Sequence, residues 1–183
     1  MPRRSARSLW ASHLKAASGA SRKPAAAGSP PDAPLAGIIL GIDPSLRGTG
    51  LAVLSVETVA TVRLLASETV RTPAEAGLPE CLGVIARAVE GMIERFALEA
   101  VAVEETIYVQ NFRTAQKLGA ARGAAIGMAA WRGLPVFEYS PLRIKQAVAG
   151  YGRASKEQVA GQMAGLLRLN AALPFDESDA AAA

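Results

Sequence analysis

The chain has 183 residues, half of them hydrophobic, and a formal net charge of +4. That length suits one compact domain with a substantial core and leaves little room for a second. One cysteine, Cys81, and one histidine, His13, exclude an internal disulfide, a Cys/His zinc centre and any triad needing a core histidine, while Arg, Glu or Gly interrupts every apolar run well short of the roughly 20 residues of a membrane span.

Residues 1–36 are rich in Ser, Ala, Pro and Arg, show no sustained apolar period and close with AGSPPDAPLA. They read as a disordered basic tail outside the fold. The Arg/Ser content is similar to an organelle transit peptide, but a basic arm touching nucleic acid nonspecifically is the preferred reading. The tail carries +5, so the body is close to neutral at −1. Within that body, residues 111–168 set nine Arg and Lys against Glu138 and Glu157, a local charge of +7. Such a field suits a polyanion, although solvated helix faces give the same count.

From Gly37 the pattern changes. GIILGID (37–43) is a short apolar run bounded by glycines, as in a strand buried on both faces. GLAVLSVE and VATVRLLASETVRT follow with β-branched residues in approximate alternation, predicting an antiparallel meander of three strands. LPECLGVIARAVEGMIERFA places Leu82, Ile85, Val89, Met92, Ile93 and Phe96 at helical spacing, with Cys81 as a small buried residue. LEAVAVEE is a further buried strand. Asn111 then caps a helix, FRTAQKLGAARGAAIGMAAWRG, in which Gly119, Gly123 and Gly127 allow another backbone to approach closely. LPVFEYS is the fifth strand, and PLRIKQAVAG a helix opened by Pro141. SKEQVAGQMAGLLRL carries a capping box of Ser155 and Gln158, and PFDESDAAAA starts a last helix. The order implies an α/β domain over residues 37–183, a mixed five-stranded sheet with helices on both faces.

Four acids fall where this backbone brings them together. Asp43 ends the first strand and Glu104 the fourth; Asp176 and Asp179, spaced i, i+3, project from one face of the last helix. Crowded carboxylates cost several kcal/mol unless cations neutralise them, and oxygen-only ligands suit Mg²⁺ or Mn²⁺. Two such ions roughly 4 Å apart flank a scissile phosphate without help from histidine. Each acid also has a plainer reading: Asp43 as a turn residue, Glu104 as a solvated strand end, Asp176 as a cap and Asp179 as a partner of the helix dipole.

The motifs ILGIDPSLRGTG, VAVEETIYVQN, KLGAARG, LPVFEYSPLRIKQAVAGYGRASKEQV and DESDA, in this order, resemble those of the RuvC-type Holliday junction resolvases over Gly37 to Ala183. The resemblance implies an RNase H-like fold and a Mg²⁺-dependent homodimeric crossover junction endodeoxyribonuclease, with two ions per site and Mn²⁺ as a substitute. Such an enzyme nicks opposed strands of a four-way DNA junction in recombination and repair, beside a RuvA/RuvB-type branch-migration complex in the bacterial cytoplasm and nucleoid. It implies that Asp43, Glu104, Asp176 and Asp179 are catalytic metal ligands, Glu104 being favoured over Glu105. Lys145 and Lys156 then serve catalysis beside the cleaved phosphate, and Ile107, Tyr108, Asn111, Arg113, Lys117 and Arg122 join them in binding DNA. Two departures stand out. Ile107, followed by Tyr108, occupies the family's aromatic wedge position, so either residue takes that task. The last helix stops at Ala183, where the family's continues for several turns, so the chain reads as truncated there.

Two other functions compete. An actin-like or sugar-kinase-like ATP-binding domain also opens on a hairpin with Asp and glycines, but needs a second related domain. A noncatalytic junction-binding protein of the same fold has no use for four acids. Against the ATP reading, Gly48 and Gly50 are expected to tighten the first hairpin turn and not to cradle a nucleotide.

Overall fold

The computed structural model of the chain describes residues 35–58, 61–105 and 111–183. The tail before Leu35 therefore lies outside the described residues, as do Ile107 and Tyr108.

The three-strand meander forms as β1 (Gly37–Asp43), β2 (Gly48–Thr58) and β3 (Thr61–Arg71), paired antiparallel in sequence order. β4 (Ala100–Glu104) then adds to the other edge of β1, parallel to it, and β5 (Val136–Tyr139) adds parallel to β4. The resulting order is β3-β2-β1-β4-β5. Parallel pairing needs long crossovers, and helices supply them. α1 (Leu78–Arg95) joins β3 to β4, and α2 (Phe112–Trp131) joins β4 to β5. α3 (Pro141–Ala149), α4 (Lys156–Leu166) and α5 (Phe175–Ala182) follow β5.

One face of the sheet packs on α1 and α2. Cys81, Ile85, Val89 and Met92 of α1 are fully buried against Leu40, Ile42, Leu51, Val53, Val101 and Val103; burial of each large aliphatic side chain stabilises by about 2 kcal/mol. The alanine face of α2, Ala121, Ala125 and Ala129, closes on the same core. Gly119, Gly123 and Gly127 lie two residues out of phase with those alanines, on the far side of the helix. Among the described residues nothing beyond the helix's own backbone stands within 4 Å of where their Cβ atoms would be. Among the described residues the close backbone approach expected at these glycines is thus not made, because the alanines take the inward face.

The opposite face of the sheet receives α4 and α5, through Ala52, Val159, Met163, Ala180 and Ala181. Local signals set the ends of the helices on this side. Ser140 accepts from the Arg143 amide ahead of Pro141, Gly150 closes α3 in the left-handed conformation at φ 81°, and Ser155 and Gln158 complete their capping box. Beside them, Leu35 packs with Ile39 of β1 and with Ala100 and Ala102 of β4.

Candidate functional site

Strand register places the first two acids. Ile42 pairs with Val103 in the parallel β1–β4 ladder, so Asp43 and Glu104, one residue further on, end neighbouring strands at the same edge. This is the carboxyl edge of the parallel part of the sheet, where α/β folds place their ligands. The loop behind Asp43 is tied down by its own groups. The Ser45 amide donates to Thr49 Oγ1 at 3.2 Å, and Thr72 Oγ1 donates to the Leu46 carbonyl at 2.9 Å. Arg47 donates to the Ala76 carbonyl at 3.1 Å and to the Pro73 carbonyl.

The last helix reaches this edge by lying directly on β1 and β2. A Cβ at Gly41 would overlap the Ala180 carbonyl, and one at Gly50 the Asp176 carbonyl. The two glycines therefore form the floor on which α5 rests. Gly48 serves the same approach, since a Cβ there would stand 3.1 Å from Asp176 Oδ2. Among the described residues positive φ occurs at Gly37, Gly133, Gly150 and Arg168, so Gly48 and Gly50 do not tighten the hairpin as expected. They make room for a helix more than 120 residues away in sequence.

The result is a cleft of about 320 Å³ lined by Asp43, Glu104, Asp179, Lys145 and Lys156, with Leu118 and Ile144 among its apolar walls. Five of the six residues expected to do chemistry thus share one concavity. Asp176 does not line it; its carboxylate turns toward Gly48. Glu105 also faces the cleft but is exposed, whereas Glu104 is half-buried.

Electrostatics mark the acids as crowded. Burial, then the charges of Glu104 and Asp179, push the Asp43 carboxyl up to about 7, with Lys156 opposing and Asp176 adding a smaller push. Burial and Asp179 likewise raise Glu104, with Lys156 and Lys145 opposing. Lys156 Nζ donates to Asp179 Oδ2 at 2.7 Å, and this bond holds the lysine above its usual range. Among the described residues no three acidic, His or Cys side chains close on a common point tightly enough to enclose a metal ion. The donor set still fits Mg²⁺, which is bound through one or two carboxylates plus substrate phosphate oxygens and water and not by an all-protein cage. Asp43 and Glu104 are such a pair: burial first, and neighbouring negative charge second, raise their affinity for protons, and a bound divalent cation offsets both.

The residues expected to contact DNA divide. Asn111 caps α2, its side chain accepting from the amides of Arg113 and Thr114 at 3.0 and 3.2 Å. Arg113 and Lys117 are exposed on that helix, whose Leu118 lines the cleft. Arg122 instead forms an ion pair with Glu138 of β5, both partners part-buried. Two contributions went unrecognised in the sequence. The glycine floor was visible as GID with GTG, yet nothing local connects it to α5. Glu177 accepts from Ser67 Oγ at 2.6 Å and Thr69 Oγ1 at 3.2 Å, and no local signal links residues 110 positions apart.

Comparison with known proteins agrees with this geometry. The family model described as crossover junction endodeoxyribonuclease RuvC matches residues 39–183. A RuvC crossover junction endodeoxyribonuclease of Halorhodospira halophila is 46% identical over 145 residues, covering 79% of this chain and 86% of the relative. The structure of Thermus thermophilus RuvC in complex with a Holliday junction substrate superposes with a TM-score of 0.75 at 40% identity, over 79% of this chain and 88% of that one. The yeast mitochondrial Holliday junction resolvase Ydc2 is similar in fold, with a TM-score of 0.59 at 11% identity over 82% and 79% of the two chains. The shared fold is RNase H-like, its mixed five-stranded sheet led by three antiparallel strands.

Proposed function

The chain belongs to the RuvC family of crossover junction endodeoxyribonucleases, and from that premise we propose that it resolves four-way DNA junctions by metal-dependent nicks on opposed strands, with the acidic cleft as its nuclease centre. The observation that carries the assignment is the convergence of Asp43, Glu104, Asp179, Lys145 and Lys156 on one cleft at the carboxyl edge of β1 and β4.

In this reading Asp43 and Glu104, joined by Asp179 and by Asp176 from the side of Gly48, hold Mg²⁺ at up to two positions, with Mn²⁺ as a substitute. When bound, the metal activates water and neutralises charge on the cleaved phosphodiester. The protein's own groups do the rest. Lys145 and Lys156 bring ammonium charges to the wall of the cleft, where they draw in a phosphate and stabilise its added negative charge in the transition state. Asp43 itself is partly buried, so its attraction for a cation is stronger than it would be in open water. The Asp43 loop, tied through Thr49, Thr72 and Arg47, stays in place while substrate binds.

Arg113 and Lys117 extend the positive surface beyond the cleft along α2 and suit the phosphates of junction arms. Paired nicking on opposed strands requires two such centres, and we infer a homodimer. The exposed glycine face of α2, with Phe112 and Trp131 exposed at its two ends, supports that assembly. Ile107 or Tyr108 is the wedge at the junction centre, and a RuvA/RuvB-type motor is the companion that the family resemblance implies. A DNA substrate of this kind places the protein at the bacterial nucleoid.

The test is direct. In Mg²⁺ the purified protein converts a synthetic four-way junction into nicked duplexes and leaves linear duplex largely intact. Asp43→Asn binds the junction at least as well and does not cut it. Binding without nicks in both Mg²⁺ and Mn²⁺ would leave only the noncatalytic reading, and normal cutting by Asp43→Asn would remove the metal assignment.

A further inference from the structure

α5 carries Asp176 and Asp179, yet it is eight residues long and its N-terminal Pro174 provides no side-chain cap. With its first amides uncapped by a side chain, the start of the helix takes its placement from its neighbours. The floor of Gly41 and Gly50 sets how close α5 comes to the sheet, and the inward side chains Ser178, Ala180 and Ala181 are buried there but too small to interlock firmly against a roll about the helix axis. Successive helical residues differ by about 100°, so a small roll redirects both aspartates. Two side-chain contacts oppose such a roll. On the α4 side Lys156 holds Asp179. On the β3 side the Glu177 carboxylate accepts from Ser67 Oγ and Thr69 Oγ1. Ser67 and Thr69 are two residues apart and present their hydroxyls on one face of β3, opposite Ala52 and Gly50 of β2. Glu177 does not line the acidic cleft; its charge is spent on the strand.

We propose that Glu177, with Ser67 and Thr69, is a positioning residue that fixes the roll of α5 and thereby the metal affinity of the site. The inference rests on the nuclease reading above for the metal, but not for the contact. Each partner has a distinct part. The carboxylate accepts the two hydrogen bonds on separate oxygens, Oε2 from Ser67 and Oε1 from Thr69, so both hydroxyls are engaged at once. The two hydroxyls, spaced along the strand, resist both sliding and rolling of the helix.

The experiment compares wild type with Glu177→Ala, Glu177→Gln and the double variant Ser67→Ala/Thr69→Val. Mn²⁺ binding to the DNA-free protein is read by electron paramagnetic resonance, the Mg²⁺ dependence of junction cutting by a titration, and junction affinity in Ca²⁺ by gel shift. Glu177→Ala is expected to weaken Mn²⁺ binding and to raise the half-saturating Mg²⁺ by about tenfold, the usual scale for groups that orient metal ligands. Its cutting rate at saturating Mg²⁺ and its junction affinity stay near wild type. Glu177→Gln, which keeps one acceptor oxygen, recovers most of the loss. Ser67→Ala/Thr69→Val reproduces Glu177→Ala, and combining the two adds nothing further. Should Glu177→Ala fail to fold, the double variant carries the test.

Mn²⁺ affinity unchanged in the hydroxyl variant, or a lowered melting temperature with unchanged metal affinity, overturns the proposal. A wild type that binds Mn²⁺ but leaves junctions uncut rejects the nuclease reading instead, while the Mn²⁺ titration still decides the role of Glu177.

Discussion

Lys156 and Asp179 meet at 2.7 Å where α4 and α5 touch, placing an ammonium group among acids whose charges it offsets. Asp43 and Glu104 both feel that charge, and in each it opposes the effect of burial. Under the proposed function the lysine would have two separable effects on the cleft, one on a bound phosphate and one on the protonation of its acids.

Lys156→Gln separates them. Loss of the ammonium is expected to reduce junction cutting at saturating Mg²⁺ by about 10²-fold, the scale for removing one charge-stabilising donor. It also raises the affinity of Asp43 and Glu104 for protons, so the rising limb of the pH–rate profile moves to higher pH. Lys156→Arg keeps the charge and hence the position of that limb, but it recovers only part of the rate because guanidinium and ammonium place their donors differently. Single-turnover rates between pH 5 and 9 distinguish these outcomes.

Stability of the metal-free protein should fall as pH rises. The Asp43 carboxyl titrates at about 7 in the folded chain against 3.8 in an ordinary setting, so between those values the folded state holds a proton that the unfolded state has released. Unfolding is then linked to proton loss, and the stabilisation present in acid disappears as pH passes 7. Glu104 is shifted in the same direction. Thermal melts in EDTA are expected to show a higher melting temperature at pH 5.5 than at pH 8, with a difference of about 2 kcal/mol in free energy from Asp43, accumulated between pH 5.5 and 7. Asp43→Asn flattens most of that slope. Mg²⁺ flattens it too, by stabilising the ionised acids at the alkaline end.

Glycines of identical composition should respond oppositely to one methyl group. Gly50→Ala puts a Cβ into the Asp176 carbonyl, and displacing α5 costs about 1–3 kcal/mol or more; cutting is lost with it, because Asp176 and Asp179 move. Gly161→Ala, on an exposed turn of α4 with nothing within 4 Å of the new Cβ, instead stabilises by about 1 kcal/mol through helix propensity. Urea unfolding and junction cutting, measured on both variants, check the contrast.

The basic residues of α2 should separate in the same way. Lys117 is exposed, and Lys117→Ala is expected to weaken junction binding at every sequence and to make the slope of log K against log salt shallower by about one. Arg122 is paired with Glu138. Arg122→Ala should change that slope less and instead lower stability, by at most about 1 kcal/mol for a part-exposed pair. Binding titrations at several salt concentrations, with melts in parallel, tell the two apart.

Much of this site was legible in the chain itself because its signals are short-range. The apolar run into Asp43, the buried strand into Glu104, the Asn111 and Ser155 caps and the Pro141 start each depend on a few adjacent residues, and the structure shows every one of those elements. The i, i+3 spacing of Asp176 and Asp179 correctly indicated a helix, but not that only Asp179 would line the cleft. That distinction depends on helix roll, which is set by β3 and α4. Arg122 reads as another surface cation until β5 brings Glu138 against it.

Periodicity, capping chemistry and strand ends are properties of neighbouring residues, so the sequence alone determined the order of elements, the two strand-end acids and the basic character of the second half. Which glycines would meet a helix, which aspartate would face the cleft and which cations would be paired were decided by tertiary structure. Those outcomes arise from contacts between segments 100 or more residues apart, such as Ser67 with Glu177, or between elements joined by a crossover. Their free energies are realised only once the sheet has formed and α5 rests on Gly41 and Gly50.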